Sequence, residues 1–134
     1  MKKFKKIVLL SISSILMISC SKDAADAANS SGFSATDIHG LWKHSASGSS
    51  YSISGVSSKG GGTGKVAAVG TAFPAGALNG PALTEVTLVR GGYWEAESHT
   101  YYPSTGWTTS SKTIGLAMAS DKRSFKIGTA VYTK

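Results

Sequence analysis

Thr84-Glu85-Val86-Thr87-Leu88-Val89-Arg90, then Gly91-Gly92, then Tyr93-Trp94-Glu95-Ala96-Glu97-Ser98-His99-Thr100-Tyr101-Tyr102: this stretch decides the fold. In the first run Val86 and Leu88 alternate with Glu85, Thr87 and Val89. In the second, Trp94 and Ala96 alternate with Glu95 and Glu97. A period of two sends successive side chains to opposite faces of an extended strand. Two such runs joined by a Gly pair predict an antiparallel hairpin. The second run, Gly92 to Tyr102, reads as the longest strand of the chain.

The same period continues outward. Downstream, Ile114, Leu116 and Met118 share a face in Thr113–Met118, Phe125 and Ile127 share one in the next strand, and Val131–Thr133 follows. Upstream, Leu41–His44 carries Trp42, Tyr51, Ile53 and Gly55 alternate with Ser52, Ser54 and Val56, and Lys65–Thr71 is a Val/Ala/Gly strand. Turn signals separate them at Ser47-Gly48, Lys59 to Gly64, Asn79-Gly80-Pro81, Pro103 to Gly106, Ser120-Asp121 and Gly128. The expected fold is all-β: a small antiparallel up-and-down β-barrel of about eight strands over residues 37–134. A two-sheet sandwich is the competing architecture. Eight strands close a barrel that side chains just fill, or that holds one small ligand. With 41% hydrophobic residues the chain can bury a core, and with 16% charged residues and 16 Gly it lacks the makings of a helical bundle.

Residues 1–19 read as an address. Lys2, Lys3, Lys5 and Lys6 precede an apolar run from Ile7 to Ile18, shorter than the roughly 20 residues of a membrane-spanning helix. The run stops at Met17-Ile18-Ser19-Cys20, which resembles the lipobox of bacterial lipoproteins. That resemblance implies a lipid on Cys20, removal of residues 1–19, and attachment to the membrane. Ser21 in the next position resembles an outer-membrane address. Residues 20–36 are small and polar and read as a lipidated flexible tether. The four leader lysines leave with the peptide, so a formal charge of +7 becomes +3. That is too little for nucleic-acid binding, which needs a dense basic stripe. Cys20 is the only cysteine, so the chain has no intrachain disulfide and, once lipidated, no thiol nucleophile.

Gly40-Leu41-Trp42 resembles the Gly-x-Trp opening of lipocalins and avidins, a calycin-like plan. The resemblance implies that Trp42 plugs the closed end of the barrel. It also implies that a basic side chain from near the last strand, Arg123, Lys126 or Lys134, lies over its indole. Ser45-Ala46-Ser47-Gly48-Ser49-Ser50-Tyr51 resembles a loop of membrane-bound lysozyme inhibitors, which gives an alternative function.

Other constellations carry less. Gly60-Gly61-Gly62-Thr63-Gly64-Lys65 lacks the spacing of a phosphate loop and is followed by Val66 and a strand. Glu95, Glu97 and His99 fall on one strand face, weak candidates for a metal or an acid/base pair. The ordinary expectation is that they face solvent while Trp94 and Ala96 face inward. His39 and His44 have no evident third ligand. The expected activity is binding, not catalysis, with no cofactor: a small apolar ligand, a glycan or a protein partner met by a monomer at one end of the barrel. The candidate contact residues are Tyr93, Trp94, Tyr101, Trp107, Phe73 and Leu78. The last two belong to Phe73–Leu83, an uncharged apolar connection expected to be the longest link, either a lid over one end or an open contact patch.

Overall fold

A computed structural model describes residues 32–134. The leader, Cys20 and the tether up to residue 31, with the lipidation expected at Cys20, lie outside the described residues. The strands are β1 (Gly40–Lys43), β2 (Ser50–Ser54), β3 (Gly62–Ala68), β4 (Pro81–Arg90), β5 (Tyr93–Ser98), β6 (Tyr101–Tyr102), β7 (Gly106–Trp107), β8 (Lys112–Met118), β9 (Ser124–Ile127) and β10 (Ala130–Thr133). Eight of them close an antiparallel barrel in the order β1-β10-β9-β8-β5-β4-β3-β2, and β6 and β7 form a separate ribbon. Each barrel strand follows its neighbour in the chain, apart from the ribbon inserted between β5 and β8. The seam is the pair Lys43 with Thr133.

The alternation explains the wall. Trp42, Ile53, Val66, Trp94, Ala96, Leu116 and Phe125 point inward and are buried, while their chain neighbours face water. Trp42 and Phe125 belong to an aromatic column that runs through the core with Tyr132, Tyr51 and Phe73. Trp42 meets Phe125 edge-on at 4.8 Å, Phe125 stacks on Tyr132 at 5.1 Å, Tyr132 lies 5.2 Å from Tyr51, and Tyr51 meets Phe73 at 5.8 Å. Such pairs contribute about 0.5–1.5 kcal/mol each beyond the area they bury.

A 3-10 turn, Ala35–Ile38, closes one end. The Trp42 indole N–H donates to the Ile38 carbonyl at 2.7 Å, and the Trp94 indole N–H donates to the Ala35 carbonyl at 3.2 Å. Of the three basic candidates it is Lys134 whose ammonium lies over Trp42, 4.5 Å from the ring centroid, and it also donates to the Asp37 carbonyl at 3.3 Å. Phe33 packs against Trp94 at 6.1 Å, so the packed fold begins inside the segment expected to be tether.

Three expectations need correction. Gly92–Tyr102 is not one strand: β5 stops at Ser98, and His99 turns the chain out of the barrel. Its backbone N–H donates to the Ala82 carbonyl at 2.9 Å, and its ring bridges the Thr84 hydroxyl at 2.8 Å and the Thr108 carbonyl at 3.0 Å. The longest link is therefore 99–111, which carries the ribbon, and not Phe73–Leu83. Ala82 and Leu83 belong to β4 and are buried, because a bulge at Glu85 (φ +52°) lets Leu83 and Val86, three residues apart, both face the core. Finally, β3 begins within the glycine run, at Gly62. A Cβ there would lie 2.2 Å from the Val56 side chain, so only glycine lets the two segments approach so closely.

Candidate functional site

Four connections reach the end opposite the 3-10 plug; one is the tight β9–β10 turn at residues 128–129, and the other three build the rim. The turn from β1 to β2, residues 44–49, is held by a chain of side-chain hydrogen bonds. His44 Nδ1 lies 2.8 Å from the Ser47 hydroxyl, and the Ser47 and Ser49 hydroxyls lie 2.7 Å apart. The link from β3 to β4 contains a second 3-10 turn, Ala75–Ala77, tied back to β3 by Asn79 N–H to the Val66 carbonyl at 2.7 Å and Val66 N–H to the Gly80 carbonyl at 3.0 Å. It is joined to the first turn by Thr71 N–H donating to the Ser47 carbonyl at 2.7 Å. The third connection is the β6–β7 ribbon.

The ribbon lies on the second connection through its aromatic side chains. Tyr101 and Trp107 meet edge-to-face at 5.4 Å. Tyr101 covers Gly76 and Trp107 covers Gly80: a Cβ at Gly80 would sit 1.9 Å from the indole nitrogen, so any larger residue would displace the ring. Phe73 is half-buried below, packed on the core and on Tyr51. In the same connection Leu78 is 49% exposed, and on the outer face of the ribbon Tyr102 is 51% exposed. Half-buried aromatics beside exposed apolar side chains make an amphipathic rim, suited to a partner with both apolar and hydrogen-bonding surface.

The structure divides the six sequence-derived contact residues. Phe73, Leu78, Tyr101 and Trp107 come together at this rim. Trp94 is fully buried and bonded to the plug at the other end. Tyr93 lies on the outer wall across Gly115, with the Arg90 guanidinium 5.3 Å from its ring. Tyr102 is the rim residue that sequence reading missed. Tyr101-Tyr102 in an extended pair must send one ring outward, and that signal was available.

No family model matches the chain, and no curated protein and no solved structure matches it. The residues themselves therefore carry the functional argument.

The carboxylates lie elsewhere. Glu95 is exposed on the outer wall. Glu97 accepts hydrogen bonds from the Ser111 hydroxyl and from the Thr113 hydroxyl at 2.9 Å, and these hold its carboxyl below the ordinary value. Among the described residues no three His, Cys, Asp or Glu side chains are grouped to hold a metal ion. At the rim, burial first and the neighbouring Tyr132 second push the Tyr51 phenol far above its ordinary value, so it stays neutral and can donate a hydrogen bond.

Proposed function

We propose that this chain is a lipid-anchored binding protein of the bacterial envelope that meets its partner at the aromatic rim, not inside the barrel. The observation that carries the reading is the aromatic column. Trp42, Phe125, Tyr132 and Tyr51 are buried and follow one another ring against ring through the core, so an interior ligand would have to displace core side chains. The rim instead already exposes Leu78 and Tyr102 around Tyr101 and Trp107. A partner surface or an envelope glycan fits such a rim better than a small apolar ligand. The anchor rests on Met17-Ile18-Ser19-Cys20 and the basic, apolar run before it. The calycin-like likeness is supported by Gly40-Leu41-Trp42 with Lys134 over the indole.

The lysozyme-inhibitor alternative keeps one supporting observation: its loop, Ser45–Tyr51, starts β2 at this same end, bonded to the Phe73 connection. Inhibition of a lysozyme, lost on substitution in this loop, would favour it over the reading above.

Capture from envelope extract tests the proposal. Immobilised wild-type chain should retain an envelope component that the Leu78→Ser/Tyr102→Ser chain, with an unchanged urea midpoint, does not. A wild-type chain that retains nothing, or a double variant that retains the same component equally well, contradicts the reading.

A further inference from the structure

The outer wall is polarised by charge. In the closed order, β1 stands opposite β5 and β10 opposite β4. Strands β4 and β5 carry Glu85, Glu95 and Glu97, with Arg90 at the end of β4, whereas the adjacent strands β1, β10 and β9 carry no carboxylate. That carboxylate-free side presents Lys43 and Lys126, both exposed. Among the described residues the ion pair is Lys122 with Asp37, at 2.9 Å, so these two lysines face solvent without a carboxylate partner.

Two apolar side chains stand among them, Leu41 at 46% exposure and Val131 at 39%. The register shows how they interleave. Val131 faces Lys126 across β10 and β9, Lys43 faces Thr133 across the seam, and Leu41 lies two residues before Lys43 on the same outer face of β1. Lysine stems beside exposed aliphatic side chains make a face suited to a headgroup layer. The ammonium groups meet phosphates while the aliphatic groups enter the boundary below.

We infer that the face formed by Lys43, Lys126, Leu41 and Val131, on the adjacent strands β1, β10 and β9, rests on an anionic phospholipid surface. The inference builds on the lipid-anchor reading, which supplies its reason. Gly32 is twelve positions on from Cys20 in the sequence, a contour of at most about 40 Å. A lipid on Cys20 would hold the domain at high effective concentration beside the bilayer, where a weak attraction suffices to orient it. Each surface lysine contributes roughly a fivefold gain in partitioning to anionic lipid. With this face down, the acidic wall is turned away from the membrane and the aromatic rim lies to the side, open to a partner.

The experiment uses residues 20–134 with Cys20→Ser, made without the leader, so that neither lipid nor apolar leader contributes. This chain should cosediment with vesicles of phosphatidylcholine and phosphatidylglycerol in equal parts, much less with phosphatidylcholine alone, and be released by high salt. Lys43→Gln and Lys126→Gln should each weaken binding roughly fivefold. Lys112→Gln, the same change in net charge on the β8 strand beside the acidic wall, should leave it nearly unchanged. Absent binding, equal binding to both vesicles, or a Lys112→Gln loss matching that of Lys126→Gln overturns the inference. The anchor is read separately, by palmitate labelling of the full-length precursor. A chain that labels through Cys20 but ignores phosphatidylglycerol overturns this face alone. One that prefers phosphatidylglycerol without labelling upholds the face and overturns the anchor.

Discussion

Trp42 shows what one residue does in this barrel. Its ring ends the aromatic column, its N–H holds the 3-10 turn, and Lys134 covers its outer face. Trp42→Ala should cost about 3–5 kcal/mol, the loss expected for a large core aromatic. Lys134→Gln should cost about 0.5–2 kcal/mol, a cation–π contact with little else attached. Urea midpoints read both, and equal midpoints for wild type and Trp42→Ala would refute the plug. Asp37 gives the plug a pH dependence. Burial pulls its carboxyl upward, but the hydrogen bonds from Lys122 and Ser34, with the charge of Lys122, outweigh burial and hold it below its ordinary value of 3.8. A lowered carboxyl stabilises where it is ionised in the folded state. Its contribution is therefore complete above the ordinary value and is lost as pH falls through the lowered one. Asp37→Asn should lower the urea midpoint at neutral pH, and the gap to wild type should close in strong acid. A gap that persists unchanged at low pH would contradict this origin.

At the scale of elements, the connection from Phe73 to Gly80 is both cap and contact, and its residues divide the work. Phe73 is packed on Tyr51 and the core, so Phe73→Ser should destabilise by about 2–3 kcal/mol, the order of a buried aromatic only partly removed from water. Leu78 is half in water, so Leu78→Ser should stay within about 0.5 kcal/mol of wild type while weakening partner capture. Paired urea melts check this, and a Leu78→Ser loss as large as that of Phe73→Ser would make the whole connection a lid. The strands themselves were legible in the sequence because each has one buried face: Trp94 and Ala96 could only be the inward pair if Glu95 and Glu97 were outward. The end of β5 was not legible. It is set by the His99 ring reaching Thr84 and Thr108, contacts that no local period encodes. The bulge at Glu85 hid Leu83 for the same reason, since a spacing of three breaks the alternation by which strands are recognised. At the rim, four aromatic and apolar residues were readable from type alone. Their meeting at one end depends on the ribbon packing over Gly76 and Gly80.

At the scale of the whole molecule, the barrel has a plugged end, an aromatic end, a β4–β5 side that carries the three glutamates and a β1–β10–β9 side that carries lysine and no carboxylate. In the proposed account the plug and the aromatic column supply stability, the lysine face orients the domain, and the rim is left for recognition. A barrel of eight strands is at the size where side chains alone can fill it. Here Trp42, Trp94 and Phe125, all fully buried, are among the residues that do so. The central claim is that recognition happens at the rim and not within that filled interior. The three tryptophans report on it directly, because each indole N–H gives its own nitrogen-15 NMR signal. Trp42 and Trp94 are bonded to the plug, and Trp107 sits at the rim. Titration with the component captured from envelope extract should shift the Trp107 indole and the Gly76 and Gly80 amides while leaving the Trp42 and Trp94 indoles in place. Shifts of Trp42 and Trp94 with a silent Trp107 would place the ligand inside the barrel and contradict the account.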